Sequence, residues 1–170
     1  AVNASLTGHL VFSTLHTNNA AGTIPRLVDL GVNPKVLDSA LNIALAQRLV
    51  RKLCPDCRKP ASPNAEEKSL IEKVLAAVKQ KRPEFIAPDP TIFASNNCAA
   101  CHGTGYRGRI GIFEAIIVNQ KIADLLLSGN PNERELRLAA LDQKLLDMRE
   151  DGVIKVLSGI TSFAELARVI

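Results

Sequence analysis

Tryptophan is absent from this 170-residue sequence, tyrosine occurs once and phenylalanine five times. So few aromatics leave little for stacking on bases, and the basic residues behind the net charge of +4 are spread over LVRKLC, VKQKRP and GYRGR without forming a stripe. Nucleic-acid binding is therefore not indicated. Long apolar runs are missing too: LVFSTL and IIV are strand-sized, far short of the roughly 20 residues that span a bilayer. No secretory leader is visible, and because the first residue is Ala1 and not Met, further sequence is expected ahead of it. There is no GxxxxGK[ST] phosphate loop, no internal repeat and no low-complexity tract. What remains is a chain with 46% hydrophobic residues, enough for a real core in one ordinary domain or two small ones.

Cysteine is also scarce, and its placement is informative. The only four are Cys54 and Cys57 in LCPDCRKP, and Cys98 and Cys101 in CAACHGTGYRGRIG. Two CxxC pairs without scattered companions suit metal ligation in a reducing cytosol better than a disulfide framework. The second pair answers to three descriptions. As CAACH it matches the attachment motif of c-type haem, but that leaves Cys54 and Cys57 without a role and asks for an axial ligand, for which His9 and His16 are the available residues. As CAACHGTG it matches one CxxCxGxG unit of the DnaJ-type zinc region, yet CPDCRKPA lacks glycine at the corresponding places. As one knuckle of a four-thiolate zinc site it needs a second knuckle, and LCPDC supplies it. We therefore expect one structural Zn2+ on Cys54, Cys57, Cys98 and Cys101, with His102 the alternative to one thiolate. The glycines at 103, 105 and 108 then let the backbone fold tightly enough for amide N–H groups to reach sulfur.

Along the chain, a small-residue helix turns at Thr7 and Gly8 into an apolar segment, His9 to Leu15, that reads as a buried strand of an α/β sheet ending in polar LHTNN. A helix around Pro25 to Leu30 closes at Gly31. Asn33 caps and Pro34 opens a longer helix, VLDSALNIALAQ, with Val36, Leu37, Leu41, Ala44 and Leu45 on one face. QRLVRKLC alternates as a strand. Between the knuckles, Pro60, Pro63, Pro83, Pro88 and Pro90 bracket a helix whose stripe of Leu70, Ile71, Val74, Leu75 and Val78 is expected to pack on the zinc module, the alternative being a docking face for another protein. RIGIFEAIIV is a strand. The rest is helical: KIADLLLS stopped by Gly129, PNERELRLAAL, LLDMREDGVIKVLS stopped by Gly159, and SFAELARV, where Ser162 and Glu165 read as a capping box.

Taken in order, TGHLVFSTLHTNNA, ALAQRLVRKLCPDCRKP, CAACHGTGYRGRIGIFE and GITSFAELARV resemble the C-terminal part of the secretion and pilus-assembly ATPases of the GspE/PilB type. The resemblance implies an α/β fold: residues 1–53 as the C-terminal portion of a RecA-like P-loop core, 54–117 as a four-cysteine zinc module with a helical insert, and 118–170 as a helical subdomain. It implies a cytoplasmic hexameric motor that uses ATP and Mg2+ to drive type II secretion or type IV pilus extension, peripheral to the inner membrane through platform proteins. The family's phosphate loop and Walker B segment would precede Ala1, so this stretch is expected to be inactive alone. LVFSTLHTN matches the His box, with His16 as its histidine, donating to a terminal phosphate or the attacking water. The bland alternative for His16 is a loop histidine satisfied by backbone. Thr14 and Thr17 flank it. Arg48, Arg51, Arg107 and Arg109 are the cations available to neutralise phosphoryl charge or to meet a neighbouring subunit, with Arg109 preferred and solvated surface arginines as the plain reading. The competing functional class is a non-enzymatic zinc-ribbon adaptor for protein or nucleic acid.

Overall fold

A computed structural model describes residues 1–86 and 91–170. Pro88 and Pro90 lie outside the described residues. The chain is mixed α/β and divides into two compact units, residues 1–46 with 114–145 and residues 47–113 with 146–170.

The first unit is built on short helices: α1 (Val2–Leu6), α2 (Thr23–Asp29), α3 (Leu37–Ala40), α5 (Gln120–Ser128) and α6 (Glu133–Ala140). Ile24, Leu37, Ile122, Leu126 and Leu136 are its largest fully buried side chains, and each contributes roughly 1.5–3 kcal/mol by leaving water. Asn33 accepts from the Lys35 N–H and caps a 3-10 turn at Pro34–Val36 that leads into α3. Asn119 caps α5, and Asn132 with Glu135 forms a reciprocal capping box on α6.

Two expectations for this unit change. The helix foreseen through VLDSALNIALAQ stops at Ala40, and Ile43–Leu53 is strand β1, paired with β4 (Tyr106–Ile117). Ala44, Ala46, Val50 and Leu53 are buried along β1. Alternation in that run serves a strand as well as a helix, and the available partner strand decides between them. The segment His9 to Leu15 is not a strand: Leu10 is 81% and Phe12 88% exposed. A β-branched, apolar sequence becomes a strand only when another strand satisfies its backbone, and among the described residues β1 pairs with β4 and Lys59–Ala61 with Ile92–Ala94.

The second unit holds the cysteines. Strand β2 (Lys59–Ala61) follows the first knuckle and pairs antiparallel with β3 (Ile92–Ala94), in the register Lys59 to Ala94, Pro60 to Phe93 and Ala61 to Ile92. Between them α4 (Ala65–Lys81) starts with an Asn64–Glu67 capping box, and Ile71, Val74 and Val78 are buried. The sequence places the stripe on the four-cysteine module; in the structure the helix packs chiefly against α7 (Met148–Leu157). At the far end of the same helix Lys81 reaches the buried Glu150 carboxylate at 2.6 Å. Helix α8 (Phe163–Val169) closes on α7 at Gly152, where an added Cβ would stand 2.4 Å from Leu166 Cδ1.

Candidate metal centre and arginine cluster

The pairing of β2 with β3 brings the two CxxC turns together across forty intervening residues. Leu53 ends β1, so Cys54 and Cys57 occupy the turn between β1 and β2, while Cys98 and Cys101 flank a 3-10 turn at Ala99–Cys101 just ahead of β4. The Cys54 N–H donates to the Gly105 carbonyl at 2.9 Å, fastening one knuckle to the other. All four sulfurs lie within 4.8 Å of one another. The Cys54–Cys98 and Cys57–Cys101 sulfur separations are 3.9 Å and the Cys98–Cys101 separation is 3.6 Å. A tetrahedron of thiolates at about 2.3 Å from zinc has edges of about 3.8 Å. The spacing therefore fits a four-sulfur zinc shell without rearrangement of the turns, and the soft donor set disfavours Mg2+ or Ca2+.

Local backbone chemistry supports thiolate. The Gly105 N–H donates to Cys101 Sγ at 3.2 Å. Gly105 has φ +76°, and a Cβ there would sit 2.5 Å from the Asn96 carbonyl oxygen, so only glycine brings this amide to the sulfur. Burial pushes the Cys57 thiol up to about 12 and raises Cys54 as well. Burial opposes ionisation of Cys101 too, yet the Gly105 N–H helps draw that thiol down to about 6. A divalent cation would reverse the penalty at the other sulfurs, since it stabilises the charge that burial disfavours. His102 is exposed, takes the left-handed conformation at φ 52°, and is not among the gathered groups.

The expected nucleotide residues divide between the units. His16 and Thr14 are exposed and Thr17 is half-buried, all in the first unit. His16 has no hydrogen-bond partner among the described residues, whereas His9 meets the Thr7 hydroxyl through Nδ1 at 3.1 Å. The loop just after His16 is fastened: Ala20 N–H donates to Glu114 at 2.6 Å, Asn19 donates to Glu133 at 2.7 Å, and the Asn19 side-chain oxygen accepts from Gly22 N–H. Sequence reasoning missed both glutamates; for Glu114 the available signal was a lone acid closing the RIGIFE run.

Arg48, Arg107 and Arg109 belong to the second unit. Arg107 makes a 3.9 Å surface contact with Asp56, and Arg48 is half-buried. Also missed was Glu165. Ser162 caps α8 by accepting from Glu165 N–H, but the Glu165 carboxylate does not return to the cap as a capping box requires. It accepts instead from the Arg51 N–H, from Arg51 Nε and Nη2, and from Arg168 Nε and Nη2 at 2.6–3.0 Å. The Arg51 guanidinium lies over the Tyr106 ring at 4.2 Å, and the Tyr106 hydroxyl meets Ser162 at 2.9 Å. Two guanidiniums outbid one backbone amide because charge-assisted bonds are the stronger.

With four gathered cysteines that could hold a metal ion and the ordered motifs from His16 to the α8 arginine, the chain has the character of a piece of an α/β protein. Residues 1–168 match the model of the Type II/IV secretion system protein family, and the chain belongs to that family. It is 42% identical over 169 residues to Type II secretion system protein E of Aeromonas hydrophila and 41% identical over 170 residues to Type II secretion system ATPase E of Vibrio cholerae. It is 39% identical over 165 residues to the Type IV pilus assembly ATPase PilB of Myxococcus xanthus. These alignments cover 97–99% of this chain but only 28–31% of the relatives, so the chain spans about a third of their length.

Proposed function

We propose that the chain is the C-terminal part of a cytoplasmic, hexameric ATPase that powers type II protein secretion or type IV pilus extension. The observation that carries this reading is the unbroken family match over residues 1–168 to relatives whose names include both kinds of ATPase. A free-standing zinc-ribbon adaptor would not account for a match extending over both units. Residues 1–53 are the end of a RecA-like core, 54–117 a zinc module, and 118–170 a helical subdomain.

In this reading His16 donates to the terminal phosphate or the attacking water, with Thr14 and Thr17 beside it. Its exposure and lack of a partner leave the imidazole available to a phosphate held by the remainder of the protein. Arg48, Arg107 and Arg109 are the cations from which nucleotide-proximal or subunit contacts are drawn. The zinc on Cys54, Cys57, Cys98 and Cys101 is structural, because four thiolates leave no position for water. ATP and Mg2+ are held mainly by a phosphate loop outside these residues. In this reading the full-length motor meets the inner membrane through platform proteins; among the described residues no helix is long and apolar enough to cross a membrane.

The test compares ATP turnover by the full-length protein and by residues 1–170 alone. The full-length protein should hydrolyse ATP and the shorter chain should show nothing above background. A full-length protein without turnover, or robust turnover by rigorously purified residues 1–170, defeats the proposal.

A further inference from the structure

A cavity of about 430 Å3 in the second unit is lined by Leu49, Arg51, Arg109 and Arg168. Three guanidiniums surround it; two of them, Arg51 and Arg168, are bonded to Glu165, whose carboxylate is fully buried behind them. Positive charge is therefore in excess on the cavity wall. Arg51 and Arg168 each spend Nε and Nη2 on that carboxylate and leave the rest of their five N–H donors unspent. The Arg109 guanidinium has no hydrogen-bond or ion-pair partner among the described residues.

The arrangement is also rigid where it needs to be. Glu165 grips Arg51 from one side while Tyr106, itself held by Ser162, stacks on the same guanidinium. Fixed guanidinium forks with free donors match the planar or tetrahedral oxygens of a multivalent anion, and pre-positioning lowers the entropy lost on binding. A purely structural ion-pair network balances its charges; this one keeps one arginine uncommitted and two half-exposed.

From this geometry we infer that the cavity lined by Leu49, Arg51, Arg109 and Arg168 is a binding site for a phosphate-class anion. The shared chemistry is a phosphate group with two or more negative oxygens, carried by a soluble phosphate compound or by an anionic lipid headgroup. The cavity and its charges are properties of this chain whichever motor it serves.

The experiment titrates pyrophosphate into the 15N-labelled 170-residue chain and follows the arginine Nε–Hε resonances. Saturable shifts are expected at Arg51, Arg109 and Arg168, weakening as salt is added. Arg109→Gln should reduce affinity roughly tenfold, the scale of one lost charge-assisted hydrogen bond, without disturbing the fold. Arg137→Gln, outside the cavity and paired with Glu133, should bind as the parent does. As a second variant, Leu49→Glu places a like charge beside the anion at an exposed position and should also weaken binding, roughly tenfold or more. Flotation with phosphatidylglycerol against phosphatidylcholine vesicles assigns the source: capture by the anionic vesicles that is lost in Arg109→Gln marks a headgroup, and pyrophosphate binding without capture marks a soluble ligand. Absence of both kinds of binding overturns the inference, as does equal weakening by Arg137→Gln. An acidic peptide that binds through Arg109 when pyrophosphate does not would likewise overturn it, making the cavity a protein-docking site.

Discussion

Replacing Glu165 by Gln keeps the volume of a buried side chain and removes the charge that two arginines share. The carboxylate is fully buried, accepts from both guanidiniums and takes the Arg51 N–H at 2.9 Å. The Arg168 hydrogen bonds, opposed by burial and reinforced by Arg51, hold its carboxyl at about 2, against an ordinary value of 4.5. That depression corresponds to about 3 kcal/mol at neutral pH. The heads of Arg51 and Arg168 are 43% and 57% exposed, so water screens the pair and the expected loss is about 2 kcal/mol. For a chain of this size that lowers Tm by about 4–8 °C. The sign follows from the depressed value: the stabilisation is complete above the unfolded carboxyl's range and is lost as pH falls from there toward 2, where the folded carboxyl also takes its proton. Thermal and urea unfolding of parent and Glu165→Gln should therefore differ at pH 7 and converge as the pH approaches 3. Metal release at low pH affects both proteins alike, so their difference isolates the carboxylate. Equal stability at pH 7, or a gap that persists undiminished at pH 3, refutes the reasoning.

Mass spectrometry should find one zinc per chain and X-ray absorption an all-sulfur shell, unchanged in His102→Ala; a shell of three sulfurs and one nitrogen would contradict the four-thiolate reading. Cys98→Ser should weaken the metal and raise hydrogen exchange around both knuckles while α5 and α6 keep their protection, and a chain that melts identically with and without chelator would exclude the clasp. Gly105→Ala combines a strained φ with a collision at Asn96, so it should cost about 2–4 kcal/mol and loosen the metal, measured by urea unfolding and zinc retention. In the full-length protein His16→Ala should lower ATP turnover roughly tenfold or more with little change in ATP binding, as for loss of one positioned polar group; a matching loss of affinity would point to a folding role instead.

Much of the fold was legible where local chemistry and packing agree. Gly31 and Gly159 end their segments with positive φ, Asn33 caps the turn that opens at Pro34, and the stripe on α4 is buried at Ile71, Val74 and Val78. The failures have a common cause in strand pairing, which sequence alone does not contain. Residues 41–46 carry an apolar pattern compatible with either period, and β4 settles it as strand. Residues 9–15 have good strand composition and no ladder. The partner of the α4 stripe was misjudged for a related reason: a stripe shows that a face is buried, whereas which element covers it depends on the return of residues 146–170 into the second unit.

The two charged clusters show the same limit from opposite sides. Cysteine is rare and its CxxC spacing is set by ligand geometry, so the quartet could be read before any fold was known, although nothing in KPA or IFA announces the β2–β3 pairing that closes it. Glu165 and Arg51 are 114 residues apart, and each sits in a stretch with an adequate local explanation, a capping box for one and a polar strand position for the other. The local explanation failed for Glu165 because its position on α8 faces the core: a carboxylate buried there must find charge-assisted partners or lose its charge, and one backbone amide is too weak to compensate. An acid at the third position of a short helix therefore has two readings, and the partners that the fold brings to it select between them. At Asn64, Asn132 and Asp147 the corresponding glutamates complete their capping boxes. At Ser162 the fold supplies two guanidiniums, and those same arginines, gathered to satisfy a buried acid, are what leaves surplus positive charge facing the cavity.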